Sequence, residues 1–198
     1  MKESATTFVR NEIAEAVGLM NAMLADRDLI ALVEQVAGVC VAAIQRGNKI
    51  LFAGNGGSAA DAQHLAAELV GRLAYDRPAL PAISLTTDTS ILTAVGNDYG
   101  YDDVFRRQIS ALGVKGDVFI AISTSGRSKN LVKALATAHE KGVTTVGMTG
   151  ATGGDMLALC EHCLRMPSTS TQKIQEGHIV IGHIICGLVE RLIYPRSA

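Results

Sequence analysis

His64 and Glu68 stand four residues apart in "FAGNGGSAADAQHLAAEL", residues 52–69, directly after a glycine-rich loop. On a helix that spacing puts both side chains on one face, with Asp61 one turn earlier. A carboxylate and an imidazole titrate in the range useful for moving protons near neutral pH. Such a pair is often only a solvated polar stripe. Here its helix starts at the glycine loop, so its first turns lie beside whatever that loop holds. Two more histidines, His178 and His183, lie in the apolar segment "IQEGHIVIGHIICGLVERLIY". A buried ring needs a hydrogen-bond partner. The two are five residues apart and point in different directions, so at most one of them faces the same site.

A second chemistry-bearing stretch is "STSGRS". Ser123, Thr124, Ser125 and Ser128 surround Gly126 at the end of an apolar run and the start of a helix-forming one. Backbone N–H groups at a helix start carry partial positive charge, and hydroxyls add donors, which suits a terminal phosphate. A single serine would be an ordinary helix cap; this density of hydroxyls favours a phosphate cradle. "GNGGSA" also fits the loose dinucleotide pattern G-x-G-x-x-A. That reading needs an acidic residue about 20 positions on, and the nearest candidate, Asp88, comes later among hydroxyls. No G-K-[ST] is present, which excludes a nucleotide P-loop.

The elements that must position these residues follow from hydrophobic period. Phe8, Ile13, Ala16, Leu19, Met20 and Met23 recur at helical spacing; after "DRD", Leu32, Val33, Val36, Val39, Cys40 and Ile44 do the same, with Gly47 as a stop. Strand and helix then alternate. "KILFAG", "PAISLTTD", "GDVFIAISTSG", "VTTVGMTG" and "HCLRMP" read as strands. "SAADAQHLAAELVGRL", "YDDVFRRQISAL", "SKNLVKALATAHEKG", "GDMLALC" and the stretch from Gln172 to Tyr194 read as helices. This alternation predicts a parallel sheet covered by helices, with ligands beyond the carboxyl ends of the strands. The unusual loops "GNGGS", "TTDTS", "STSGRS" and "TGATGG" all fall there.

Composition narrows the classes. The chain has 198 residues, 48% of them hydrophobic, and a net charge of −1, which predicts one domain and argues against a nucleic-acid footprint. No apolar run is expected to reach membrane-span length, because the last helix is interrupted by His183, Glu190 and Arg191. The amino terminus lacks a secretory pattern, so a cytoplasmic protein is expected. Of the four cysteines, Cys160 and Cys163 form one C-x-x-C, while Cys40 and Cys186 stand alone. One such pair is short of a structural zinc site, and it reads as two small core residues beside a loop.

"GNGGSAADAQH", "GDVFIAISTSGRS", "ILTAVGNDYGYDDVF" and "IQEGHIVIGHI" together resemble the sugar isomerase domain family, and within it the phosphoheptose isomerases, through nearly the whole chain. The resemblance implies a three-layer αβα fold around a parallel five-stranded sheet. It implies one domain over residues 1–198, with leading helices in 1–47 and the αβα core in 48–198, assembled as a homotetramer. The implied activity is aldose–ketose isomerisation of sedoheptulose 7-phosphate, and the implied catalytic residues are Glu68 and His183. By motif, the substrate contacts would be Asn55, Gly56, Gly57, Ser58, Glu68, Asn97, Asp98, Ser123, Thr124, Ser125, Ser128 and Gln175. One zinc per subunit would sit on His64, Glu68, Gln175 and His183; Arg72 and Asp61 would support the site. Where the family carries an acidic residue before the last motif, this chain has Gln172. A related family keeps the fold but binds a replication initiator and lacks the full carboxylate–histidine pair. This chain has both members of the pair, which favours an enzyme over a binding protein. A third class, a sugar-phosphate-sensing regulatory domain, lacks support because no DNA-binding module is attached.

Overall fold

The computed structural model describes residues 4–196; the first three and last two residues of the expected domain lie outside them. Two helices lead, α1 (Ala5–Ala25) and α2 (Arg27–Gln45). Asp26 ends the first and caps the second, its carboxylate accepting from the Leu29 N–H at 3.0 Å. Gly47, at φ +82°, turns the chain out of α2. There follow β1 (Ile50–Gly54), α3 (Gly57–Val70), β2 (Ala82–Ser84), α4 (Thr89–Tyr99), α5 (Val104–Leu112), β3 (Val118–Ile122), α6 (Lys129–Glu140), β4 (Thr144–Thr149), β5 (His162–Arg165) and α7 (Thr171–Ile193).

All strand pairs are parallel, and the sheet order is β2-β1-β3-β4-β5. Both faces are covered, so the central strands are apolar throughout rather than alternating. Along β1, Ile50 and Phe52 join Leu65 of α3 and Ile181 of α7 in one core that also receives α1 and α2. Leu51 and Ala53 face the other way, into a core with Phe105 of α5 and Leu131 of α6. The expected three-layer αβα architecture, five-stranded parallel sheet and leading helical pair are all present.

Four local expectations are corrected. The second strand is confined to Ala82–Ser84: beyond it the Thr86 hydroxyl donates to the Ala59 carbonyl of α3 and the Thr87 hydroxyl turns back onto the Ser84 carbonyl. "TTDTS" is the start of α4: Asp88 caps that helix by accepting from the Ile91 N–H at 2.9 Å. That use of Asp88 also removes it as a ribose ligand. "GDMLALC" forms only a short 3-10 turn, Gly154–Met156, and "YDDVFRRQISAL" starts with another, Tyr101–Asp103, before α5.

The expectation about apolar runs is corrected at α2. An 18-residue window there has a mean hydropathy of 1.6, long and apolar enough to cross a membrane by length and composition. In this fold one side of that helix, including Leu29, Val33, Val36, Ala37 and Cys40, is buried in the core, the usual reason for a core helix to be so apolar.

Candidate active site

Because β1 has β2 on one side and β3 on the other, the chain reverses direction across the sheet at β1 and β3. A crevice opens beyond the carboxyl ends of strands at such a switch point. The loops that leave these two strands are "GNGGS" and "STSGRS". They are tied together by a reciprocal amide pair: Asn55 Nδ2 donates to Asn130 Oδ1 at 3.0 Å, and Asn130 Nδ2 donates to Asn55 Oδ1 at 2.8 Å. Gly56 takes φ +56° to start α3. Gly57 has Gln175 of α7 directly over it; an added Cβ would lie 2.3 Å from Gln175 Nε2. The glycines are thus needed for backbone shape and close approach.

In the second loop, the Ser123 and Ser128 hydroxyls bond to each other at 2.9 Å. Ser128 starts α6 without capping it through its side chain, so helix-start N–H groups are left for another acceptor. The Ser125 hydroxyl accepts from the Arg127 N–H at 3.2 Å and keeps its own proton free. Gly126 (φ +63°) lets the loop press on the backbone of Gly153 and Gly154.

The expected helical face forms, and a third residue joins it. His64 Nε2 lies 3.1 Å from Glu68 Oε1 and 2.8 Å from His183 Nε2. The rings meet edge to face, with centroids 5.0 Å apart. Gly182 makes this possible: the Leu65 side chain occupies the place of its missing side chain, 2.6 Å from where a Cβ would be, so α3 and α7 approach closely beside the cluster. His178 points away; its ring is fully buried, with Nε2 3.1 Å from the Thr149 carbonyl oxygen. The five-residue spacing therefore separates the two histidines as expected.

Asp61 is buried beside the cluster, and one carboxylate oxygen has no hydrogen-bond partner. Burial raises its pKa, while a hydrogen bond with Gln175 and the charges of His64 and His183 oppose the rise. The donor set suits a zinc ion. One ligand atom each from His64, Glu68 and His183 fall within 4.8 Å of one another, and tetrahedral zinc with bonds of about 2.0–2.2 Å needs its donors roughly 3.3 Å apart. Gln175 packs on Gly57 and bonds to Asp61, and its amide is the weakest donor of the four expected ligands.

Residues 11–150 match the SIS domain family. A phosphoheptose isomerase from Burkholderia pseudomallei (strain 1710b) is 59% identical over 197 residues, covering 100% of both chains. One from Aneurinibacillus thermoaerophilus is 57% identical over 190 residues, 96% of each. The chain belongs to the phosphoheptose isomerase family. The solved phosphoheptose isomerase of Neisseria gonorrhoeae superposes with a TM-score of 0.88 at 40% identity, over 94% of this chain and 99% of the other. That of Francisella tularensis gives 0.90 at 32% identity, over 96% and 100%.

Other residues that the family motifs select are not gathered into this cluster within one chain. Asn97 and Asp98 are exposed near the end of α4, bonded to each other at 2.8 Å. Gln172 and Arg72 are exposed. The arginine that reaches back to the last carbonyls of α3 is Arg77, which sequence reasoning passed over. It donates to the carbonyls of Glu68 and Leu69, each at 2.7 Å, and its Nε lies 3.2 Å from Glu190 Oε1. Glu190 on α7 also accepts from the N–H groups of Leu73 and Ala74. Burial alone would raise its carboxyl, but those N–H groups and the Arg77 charge hold it below the usual range. This buried pair locks the helix of Glu68 to the helix of His183. The only signal in the sequence was Glu190 itself, a charge in an apolar helix.

Proposed function

We propose that the chain is an aldose–ketose isomerase converting sedoheptulose 7-phosphate to D-glycero-D-manno-heptose 7-phosphate, the first step toward nucleotide-activated heptose for lipopolysaccharide or capsule. The observation that carries this reading is the convergence of His64, Glu68 and His183 beside the switch-point loops, in a chain similar over its full length to phosphoheptose isomerases.

The substrate phosphate is held by Ser123, Thr124, Ser125 and Ser128 and the start of α6. Asn55, Gly56, Gly57, Ser58 and Gln175 line the sugar, with Asn97 and Asp98 completing the pocket. The Glu68 carboxylate removes a proton from C1 of the ketose and returns it at C2 through an enediol. His183 gives and takes the protons on the C1 and C2 oxygens as the carbonyl moves from one to the other. The preorganised pair then needs no large rearrangement between the two half-steps. Asp61, with Gln175, holds the sugar-facing side of α3.

His64, Glu68, Gln175 and His183 would hold one zinc per subunit, which when bound supplies a Lewis acid for the sugar oxygens. A homotetramer fits the exposed apolar surface. Phe8, Ile13, Val17 and Leu24 of α1 and Ile184 of α7 are exposed, and α4 buries none of its residues within the chain. Faces of this kind are usually covered by another subunit. The protein is read as one sugar isomerase domain of the cytoplasm, acting without nucleic acid or membrane. The decisive experiment is conversion of sedoheptulose 7-phosphate to the aldose, followed by NMR with and without a chelator. Absence of any aldose from folded, zinc-supplemented protein overturns the reading.

A further inference from the structure

Cys160 and Cys163 belong to no part of the site described above; Cys160 packs at the border of the core that holds Phe105 and Leu131. Cys40 and Cys186 are buried, whereas these two are half-buried on and beside β5, the edge strand of the sheet. The chain bends at Glu161 as it enters β5, and both thiols turn toward Gly147, the β4 residue in register with Cys163. The sulfurs fill the space that a side chain at Gly147 would take: an added Cβ would lie 2.7 Å from Cys160 Sγ and 3.5 Å from Cys163 Sγ. Cys163 Sγ also lies 3.6 Å from Thr149 Oγ1. Among the described residues, no third histidine or carboxylate joins the thiols in a metal-holding group.

The two sulfurs differ in character. A hydrogen bond from Cys160, helped by Thr149 and the Arg165 charge, holds the Cys163 thiol below the ordinary thiol range against the opposing effect of burial. Cys160, the donor of that bond and itself partly desolvated, is pushed up. A thiolate next to a thiol is the arrangement of an attacking and a resolving cysteine.

We propose that Cys160 and Cys163 form a reversible dithiol–disulfide pair, oxidised by a peroxide, with Cys163 attacking and Cys160 resolving. The Cys163 thiolate attacks one oxygen of hydrogen peroxide; the O–O bond breaks, hydroxide leaves, and a sulfenic acid forms. The Cys160 thiol, losing its proton, attacks that sulfur; the S–O bond breaks, water leaves, and the S–S bond forms. Two thiols are oxidised and one peroxide is reduced to two waters. An external dithiol reverses the step by exchange and leaves as its own disulfide. Gly147 leaves the sulfurs free to rotate toward the roughly 2.05 Å that a disulfide requires.

The test treats the reduced full chain with hydrogen peroxide in the presence of dimedone, then digests it with trypsin. The peptide from Gly142 to Arg165 carries both cysteines and no other. Its mass should fall by two hydrogens and recover with dithiothreitol, with no dimedone adduct. Cys160→Ser should trap the dimedone adduct on Cys163, and Cys163→Ser should show neither adduct nor disulfide. A Cys160→Ser protein without an adduct at Cys163 overturns the proposal. So does a wild-type peptide that gains oxygens on sulfur rather than losing hydrogens, or a Cys163→Ser protein that is labelled at Cys160. Circular dichroism of both variants confirms that each is read in the folded state.

Discussion

The Nε2 atoms of His64 and His183 lie 2.8 Å apart across 119 residues of sequence. Two ring nitrogens at that distance must share a proton or a cation, since two lone pairs facing each other repel. With Glu68 at 3.1 Å from His64, the same atoms offer three ligands to a metal ion.

Purified protein should therefore take up one zinc per subunit, and His64→Ala or His183→Ala should lose it. The competing site is the C-x-x-C. Elemental analysis decides: zinc that disappears from Cys160→Ser/Cys163→Ser but stays in His64→Ala places the metal elsewhere.

Glu68→Gln and His183→Ala should keep the fold yet lose turnover by about 10²–10⁴-fold each, the usual contribution of a general acid or base. Solvent deuterium incorporation at the substrate carbon should fall in step with turnover in Glu68→Gln. Wild-type exchange in that variant would mean another group is the base.

Ser125→Ala tests the phosphate loop. The free hydroxyl proton of Ser125 would bond a charged oxygen, and losing such a bond costs about 1.5–3 kcal/mol. Binding of both substrate and inorganic phosphate should weaken by roughly ten- to a hundredfold. Unchanged affinity for both would remove Ser125 from the cradle.

The glycines of α7 should respond unequally to alanine. At Gly182 the new methyl meets the Leu65 side chain at 2.6 Å, and Leu65 is 1% exposed and cannot move aside. Overpacking of about 1–3 kcal/mol outweighs the gain of about 1 kcal/mol in helix propensity. Forcing α3 off α7 also parts His64 from His183, so activity should drop with stability. At Gly187 the nearest atom, Leu73 Cδ2, is at 3.4 Å, and alanine there should stabilise slightly. Urea melts of the two variants that coincide would contradict this account.

His178 should make the fold acid-sensitive. Burial lowers its pKa to about 4 from an ordinary 6.5, opposed by its bond to the Thr149 carbonyl. The unfolded chain therefore binds a proton that the folded chain refuses. Stability from this group is complete above about pH 6.5, falls by about 1.4 kcal/mol per pH unit below that, and is fully lost below about pH 4. Urea midpoints between pH 6.5 and 5, above most carboxylate titrations, should slope in wild type and flatten in His178→Gln. Equal slopes would assign the acid sensitivity to other groups.

Much of this molecule was legible as sequence because the signals are local. Helical period paired His64 with Glu68, and the alternation of apolar runs with helices marked five parallel strands. The loops richest in glycine and hydroxyls fell at strand ends, where the topology placed them at the switch point. α4 was missed because it buries none of its residues fully and its apolar stripe is short, with only Leu92 and Val95 packed on the core. What only the tertiary structure decided are the long-range choices. Packing of Leu65 on Gly182 turned His183 toward the cluster, and a contact with β4 turned His178 away. Arg77, Glu68 and Glu190 were joined across two helices, and Cys160 and Cys163 were gathered over Gly147. Period and propensity act over a few residues. Which distant side chains meet depends on how whole helices close on the sheet, and that is fixed by the fit of a few small residues against large ones.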